Sequence, residues 1–206
     1  MSTLFHLVRH ADHGHVGRIL TGRAPGIPLS PAGRAEAERL AGAMGKTRFA
    51  ALLTSPRRRA RETAVILAGK AGLLVRITPA LDEIDFGRWT GRTFEALAAD
   101  PDWRRWNASR DSAATPAGET MADVAARLTG LIDDLCARFP GGTVCLVSHG
   151  DVIKAGLCHY GGRSFQEVHD FDIAPASVST IAVDRHGGRV AAVNQRAWPS
   201  DVEAVS

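Results

Sequence analysis

The stretch "GGTVCLVSHGDVIKAGLCHY", residues 141–160, changes its period partway along. Five apolar or small residues after a glycine start read as a buried strand, and "DVIKAGLCHY" then continues as a helix. The polar Ser148-His149-Gly150 falls at the junction. The same alternation recurs on either side. "LFHLV" (4–8) reads as a strand. "SPAGRAEAERLAGAM" (30–44) reads as a helix, with Ser30 as N-cap and Pro31 at the first helical position. "FAALLTS" (49–55) is a second strand, and "SPRRRARETAVILAGKAG" (55–72) repeats the Ser-Pro helix start. "LLVRITPAL" (73–81) supplies a third strand, and a helix is expected at about 119–139. "VSTIAVD" and "RVAAVN" flank "RHGG" as a hairpin near the C-terminus. Strands alternating with helices predict an α/β fold, a three-layer α/β/α sandwich on a mostly parallel mixed sheet.

With 206 residues, 45% of them apolar, the chain can bury a full core as one domain, 1–206, with residues 80–117 as an insertion or lid. That segment is irregular, bears three of the four tryptophans and carries short helical pieces around 94–99 and 103–106. No run of about 18 apolar residues argues for a membrane span. The N-terminus is too short and too quickly charged for a secretory signal. Cys136, Cys145 and Cys158 lie in apolar patterns and read as reduced core residues, so a cytoplasmic location is expected. The net charge of +3 hides an asymmetry. Residues 1–76 hold 13 Lys/Arg against 4 Asp/Glu, and the remainder holds 12 against 18. A basic N-terminal half suits a small anionic substrate. The arginine run at 57–61 lacks interleaved aromatics, so nucleic acid is not the expected partner.

In open α/β sheets, ligands bind beyond the carboxyl ends of the strands. Those ends deliver Arg9-His10, the arginines of "TSPRRRAR", Ser148-His149-Gly150, and "LDEIDFG" with Glu83 and Asp85. Two arginines, two histidines and a carboxylate fit phosphoryl transfer. Guanidinium forks match phosphate oxygens, a neutral imidazole attacks phosphorus, and a protonated carboxyl group donates to the leaving oxygen. With the protein supplying the positive charge, neither metal nor other cofactor is called for. "LVRHADHGH" (7–15) also holds three histidines, His10, His13 and His15, and a metal cluster built on them is a competing reading.

Several motifs, in order, cover nearly the whole chain and resemble the histidine phosphatase superfamily, the phosphoglycerate-mutase-like group. They are "LVRHA" (7–11), "LTGRAPGIPLSPAGRAEAERLA" (20–41), "LLTSPRRRARETA" (52–64), "LDEIDFGRWTGRT" (81–93), "TPAGETMADVAARL" (115–128) and "VCLVSHGDVIKAGL" (144–157). The resemblance implies His10 as the phosphate-accepting nucleophile and Glu83 as proton donor. It implies that Arg9, Arg59 and a protonated His149 bind the phosphoryl oxygens, with Thr21, Gly22 and Gly150 adding contacts. Arg57, Arg58 and Arg61 are expected to be solvated, and His6 to be a satisfied core histidine. Trp89 is expected to pack under its loop, and Trp103 and Trp106 in the core, with the cleft wall as their alternative; His169 carries no motif, and an approach to the site from its loop is left open.

Departures from the pattern bear on activity. Ala11 replaces the glycine after the nucleophile, Val16 stands where the mutases keep asparagine, and "TGRAPG" replaces their T-G-W-x-D. These favour a metal-independent phosphomonoesterase acting on a small phosphorylated metabolite over a cofactor-dependent phosphoglycerate mutase. A catalytically silent phospholigand-binding module is the alternative of another class. His13 and His15 are expected at the cleft mouth, and a homodimer would be unsurprising in this family.

Overall fold

The computed structural model describes residues 1–196. Six strands, β1 (Thr3–Arg9), β2 (Ala51–Thr54), β3 (Val75–Ile77), β4 (Thr143–Ser148), β5 (Val178–Asp184) and β6 (Gly187–Gln195), form one sheet in the order β3-β2-β4-β1-β5-β6. The first four are parallel, and β5 and β6 add an antiparallel hairpin at one side. Among the described residues, six α-helices accompany them: α1 (Pro31–Ala43), α2 (Arg58–Ala71), α3 (Phe94–Ala98), α4 (Pro101–Ala108), α5 (Met121–Arg138) and α6 (Gly150–Gly161).

The two-residue period of the strands divides the core into two faces. Phe5, Leu7, Leu53, Val144 and Leu146 pack with α5, α6 and the segment between β3 and α5. Val8, Leu52, Cys145 and Val147, one step out of phase, pack with Leu40, Ala41, Ala64 and Leu67 of α1 and α2. That is the expected three-layer sandwich. The segment expected as an insertion packs its Ile84, Phe86, Trp89, Leu97 and Trp106 into the α5/α6 face. Among the described residues, no helix is long and apolar enough to cross a membrane.

Local chemistry accounts for most element ends. Ser30 caps α1, its Oγ accepting from the Gly33 amide at 2.9 Å. Thr120 and Asp123 close a capping box on α5. His6 is buried among the strands and shares a hydrogen bond of 3.0 Å with Thr180 on the antiparallel neighbour β5. Two expectations need correction. The Ser-Pro at 55–56 does not start α2, which begins at Arg58 after an extended Arg57 without a side-chain cap. The Ser55 hydroxyl is committed elsewhere, as described below. "LLVRITPAL" yields only the short β3, because Thr78-Pro79 turns the chain into a 3-10 segment at Pro79–Leu81, and Leu74 stays 88% exposed.

Strand register sets the site. Arg9 pairs with Ser148, and Thr54 pairs with Val147, so β1, β2 and β4 end side by side. The ladder runs one bond further, from the His10 amide to Ser148 O (2.9 Å) and from the Ser55 amide to Val147 O (3.0 Å). The loop after β1 then presses against α1. A Cβ added at Gly33 would lie 1.8 Å from the Asp12 carbonyl oxygen. Gly33→Ala is therefore expected to cost about 2 kcal/mol of stability through overpacking, read as a lower denaturation midpoint. An unchanged midpoint would show that the loop yields freely.

Candidate active site

Arg59, on the first turn of α2, is 1% exposed and lies between two imidazoles. Its Nε donates to His10 Nε2 at 3.1 Å, and its Nη2 donates to Gly22 O at 2.7 Å and to His149 Nδ1 at 3.1 Å. Its Nη1 is buried without a protein partner, as is the Nε of Arg9. Thr63 holds this helix turn to the first loop, accepting from the Ala11 amide (3.1 Å) and donating to Arg59 O (2.9 Å).

These bonds fix both tautomers. His10 Nδ1–H donates to Ala11 O at 2.9 Å, so Nε2 keeps its lone pair, as the donation from Arg59 requires. Burial first, then the charges of Arg59 and Arg9, push the His10 pKa well below its ordinary value, which keeps the imidazole neutral. His149 accepts at Nδ1, so its Nε2–H donates to Ser55 Oγ at 2.7 Å. Ser55 also accepts from the Arg57 amide and donates to Asp82 Oδ1 at 3.3 Å, which uses its full hydroxyl capacity. Burial and Arg59 hold the His149 pKa well below its ordinary value too. The expected protonated His149 is therefore neutral in the ligand-free protein. It is fully buried behind Arg59, and its ring centroid lies 5.1 Å from that of His10.

Glu83 is the third element. The Ile84 amide donates to Oε1 at 3.0 Å, leaving Oε2 to carry a proton, and Oε2 lies 4.0 Å from His149 Nδ1. Burial, reinforced by the negative charge of Asp151, raises the Glu83 pKa to about 8. The contact with His149 thus joins two neutral groups and is not an ion pair. The neighbouring carboxylates are occupied. Asp82 accepts a bidentate pair from Arg57 at 2.8 Å each, and half-exposed Asp85 pairs with Arg23 at 3.2 Å. Arg57 is accordingly not solvated, contrary to expectation. Its fork on Asp82 explains why it stays extended ahead of α2.

A cleft of about 210 Å³ opens over these groups. Arg9, His10, Thr21, Gly22, Arg59, Glu83 and Gly150, seven of the expected site residues, line it, while His149 stands one layer behind. Gly22 has a φ of +46°, and a Cβ there would lie 2.9 Å from Thr90 Oγ1, so the turn needs glycine. His13 reaches the wall, and His15 does not. Their rings and that of His10 form a row with centroids 5.3 and 5.8 Å apart. His13 Nδ1 accepts from the His15 amide, and His10 Nδ1 is tied to Ala11 O, so the three do not converge on one point. Among the described residues, no group of three or more His, Cys, Asp or Glu is placed to hold a metal ion.

Trp89 and Trp106 are buried in the core, half-buried Trp103 packs against both, and the aromatic walls of the cleft are Phe86 and Phe94 instead. His169 is absent from the wall, where Asp172 and Ile173 of the following residues stand. Asp151 and Lys154 of α6 were missed as wall residues. Their positions two and five residues after His149, on the first turns of a helix leaving a strand end, were the available signal.

The chain matches the histidine phosphatase superfamily (branch 1) over residues 5–196. An uncharacterized Mycobacterium tuberculosis protein is 33% identical over 189 residues, spanning 88% of this chain and 91% of that protein. Glucosyl-3-phosphoglycerate phosphatase of M. tuberculosis is 35% identical over 159 residues, covering 72% and 71% of the two chains. The structure of an Entamoeba histolytica phosphoserine phosphatase mutant in complex with phosphoserine superposes with a TM-score of 0.84 at 26% identity, covering 94% of this chain and 98% of that one. The protein belongs to the histidine phosphatase superfamily, and several of its relatives are named as phosphatases.

The raised Glu83 pKa has a stability consequence with a definite sign. Between the ordinary value of 4.5 and about 8, the folded state holds a proton that the unfolded chain releases, so stability falls as pH rises through that window. Glu83→Gln is expected to stabilise the protein at pH 7.5 by on the order of 4 kcal/mol, with little change at pH 4. A variant no more stable at pH 7.5 than at pH 4, relative to the parent protein, would contradict the buried, protonated carboxyl group.

Proposed function

We propose that the protein is a phosphomonoester phosphatase that works through a phosphohistidine on His10. The observation that carries this is the pairing of a neutral imidazole, its Nε2 lone pair fixed, with a carboxyl group protonated near neutral pH. Nε2 attacks phosphorus in line, the P–O bond to the alcohol breaks, and the Glu83 proton passes to the departing oxygen. Water then gives a proton to the Glu83 carboxylate and attacks phosphorus. The N–P bond breaks, and His10 recovers its lone pair. Buried Arg59 and half-buried Arg9, each with a buried donor that lacks a protein partner, supply the fixed positive charge for the phosphoryl oxygens, so no metal step enters the cycle. A dianion in the cleft raises the affinity of His149 for a proton, which adds a donor only once phosphate is bound. The amide at the start of α6, at Gly150, and the turn at Thr21-Gly22 offer further contacts.

Val16, Ile19 and Leu20 form an apolar stretch of wall. A mutase must reorient and recapture a phosphoglycerate, and this stretch offers it no polar handle, which supports hydrolysis over transfer within the substrate. Lys154, Asp151 and Asp172 also line the cleft, charges of both signs that suit a small polar alcohol.

Incubation with p-nitrophenyl phosphate in EDTA is expected to release phosphate, and rapid quench into alkali to trap one phosphoryl group on His10. His10→Ala is expected to abolish both; phosphate release at the parent rate would overturn the reading. Glu83→Gln is expected to lose about 10²–10⁴-fold in kcat with an alkyl phosphate and much less with p-nitrophenyl phosphate, whose leaving oxygen needs no proton. Equal losses with the two substrates would remove Glu83 from the role of acid. For alkyl phosphates, activity is expected to fall as pH rises through about 8 and Glu83 ionises.

A further inference from the structure

Arg110 is a buried cation that the phosphoryl chemistry does not use. It sits just after α4, is 5% exposed, and stacks its guanidinium over Trp106 with Cζ 3.3 Å from the ring centroid. Its Nη2 donates to Asn107 Oδ1 at 2.9 Å, and its Nη1 donates to Asp151 Oδ1 at 3.0 Å. Asp151 lies on the first turn of α6, two residues after His149, and shares the cleft wall with Glu83. The cleft wall carries three carboxyl groups, Glu83, Asp151 and Asp172, and of Glu83 and Asp151 only the latter accepts a guanidinium hydrogen bond, from Arg110.

We propose that Asp151, held in place by Arg110 from the segment between β3 and α5, is a positioning residue that keeps the proton on Glu83. Two carboxyl groups sharing a low-dielectric site do not both ionise, and the one with the cationic partner takes the charge. Asp151 has Arg110 as partner and stands in the first turn of α6, at the positive end of the helix, whereas Glu83 accepts one backbone amide. Of the groups that act on the Glu83 carboxyl, Asp151 opposes its ionisation, and Arg59 on α2 and Arg9 on β1 favour it. Neutral His149 stands 4.0 Å away at the start of α6. The adjacent Asp82 is neutralised by Arg57, and Arg23 binds the backbone oxygen of Glu83 at 2.6 Å. Asp151 is the largest influence after burial itself. Its charge serves both halves of the cycle. It holds the proton for the departing alcohol, and it makes the Glu83 carboxylate, once formed, a stronger base toward water.

The proposal rests on the phosphatase reading for its catalytic consequence but has a readout independent of turnover, the titration of the Glu83 carboxyl carbon followed by ¹³C NMR. Asp151→Asn keeps an oxygen for Arg110 and removes the charge. It is expected to lower the Glu83 titration and the basic limb of kcat/KM by about one pH unit. Activity on an alkyl phosphate would then fall about fivefold more steeply between pH 6 and pH 8 in the variant than in the parent protein. A Glu83 titration unmoved in folded Asp151→Asn would overturn the proposal. Should that variant fail to fold, the double variant Asp151→Asn/Arg110→Gln leaves no unpaired buried charge. Its Glu83 is expected to titrate below that of Arg110→Gln alone, and an equal value would overturn the proposal. Absence of phosphate release by the unsubstituted protein would refute the phosphatase reading, and the carboxyl titration would still decide the role of Asp151 on its own.

Discussion

The Arg59 guanidinium, shared between His10 and His149, is the interaction on which the rest of the site depends. Arginine stays protonated even when burial lowers its pKa to about 10, so both imidazoles it touches are held neutral and accept from it. That one constraint sets two tautomers. It leaves the Nε2 lone pair of His10 as the nucleophile and makes His149 a donor to Ser55. The planar fork is needed for this, since Nε and Nη2 diverge toward different rings, and a lysine point charge would not bridge them. From Ser55 the network continues to Asp82 and its Arg57 partner, and from Asp82 back to the Glu83 amide at 2.9 Å. Nucleophile and acid are therefore positioned by one connected set of bonds.

The fold's contribution is alignment. Three parallel strands end at the same level, so His10, Ser55 and His149 emerge as neighbours although 45 and 94 residues separate consecutive members. The α1/α2 layer delivers Arg59 from one face of the sheet, and the α5/α6 layer with its aromatic strap delivers Glu83, Asp151 and Arg110 from the other. Charge follows the same division. The basic first 76 residues supply Arg9 and Arg59 for an anion, and the acidic remainder supplies the carboxyl groups that handle protons.

Much of this was legible in the sequence because strand ends and motif positions coincide. His10, Arg59, Glu83 and His149 stand next to apolar runs whose period is plain, and the structure brings them together. What was illegible depends on long-range pairing. Arg57, Arg58 and Arg59 share one local context, and only the position of Asp82, 25 residues on, singles out Arg57 for a fork. Arg110 and Asp151 meet across 41 residues from segments with no common pattern. The neutral state of His149 was likewise unreadable, since it follows from its complete burial against a guanidinium. Trp103 and Trp106 showed helical spacing and are packed inward, but nothing in that spacing pointed to Phe86 and Phe94 as the aromatic walls of the cleft.

The central claim is that Arg59 holds His10 as a neutral imidazole protonated on Nδ1. Nitrogen-15 NMR of the ligand-free protein at pH 6, with His10 assigned by its loss in His10→Ala, tests it directly. The expected spectrum shows a protonated Nδ1 and an unprotonated Nε2, unchanged on lowering the pH to 5.5. A His10 ring protonated on Nε2, or doubly protonated at pH 6, would contradict it.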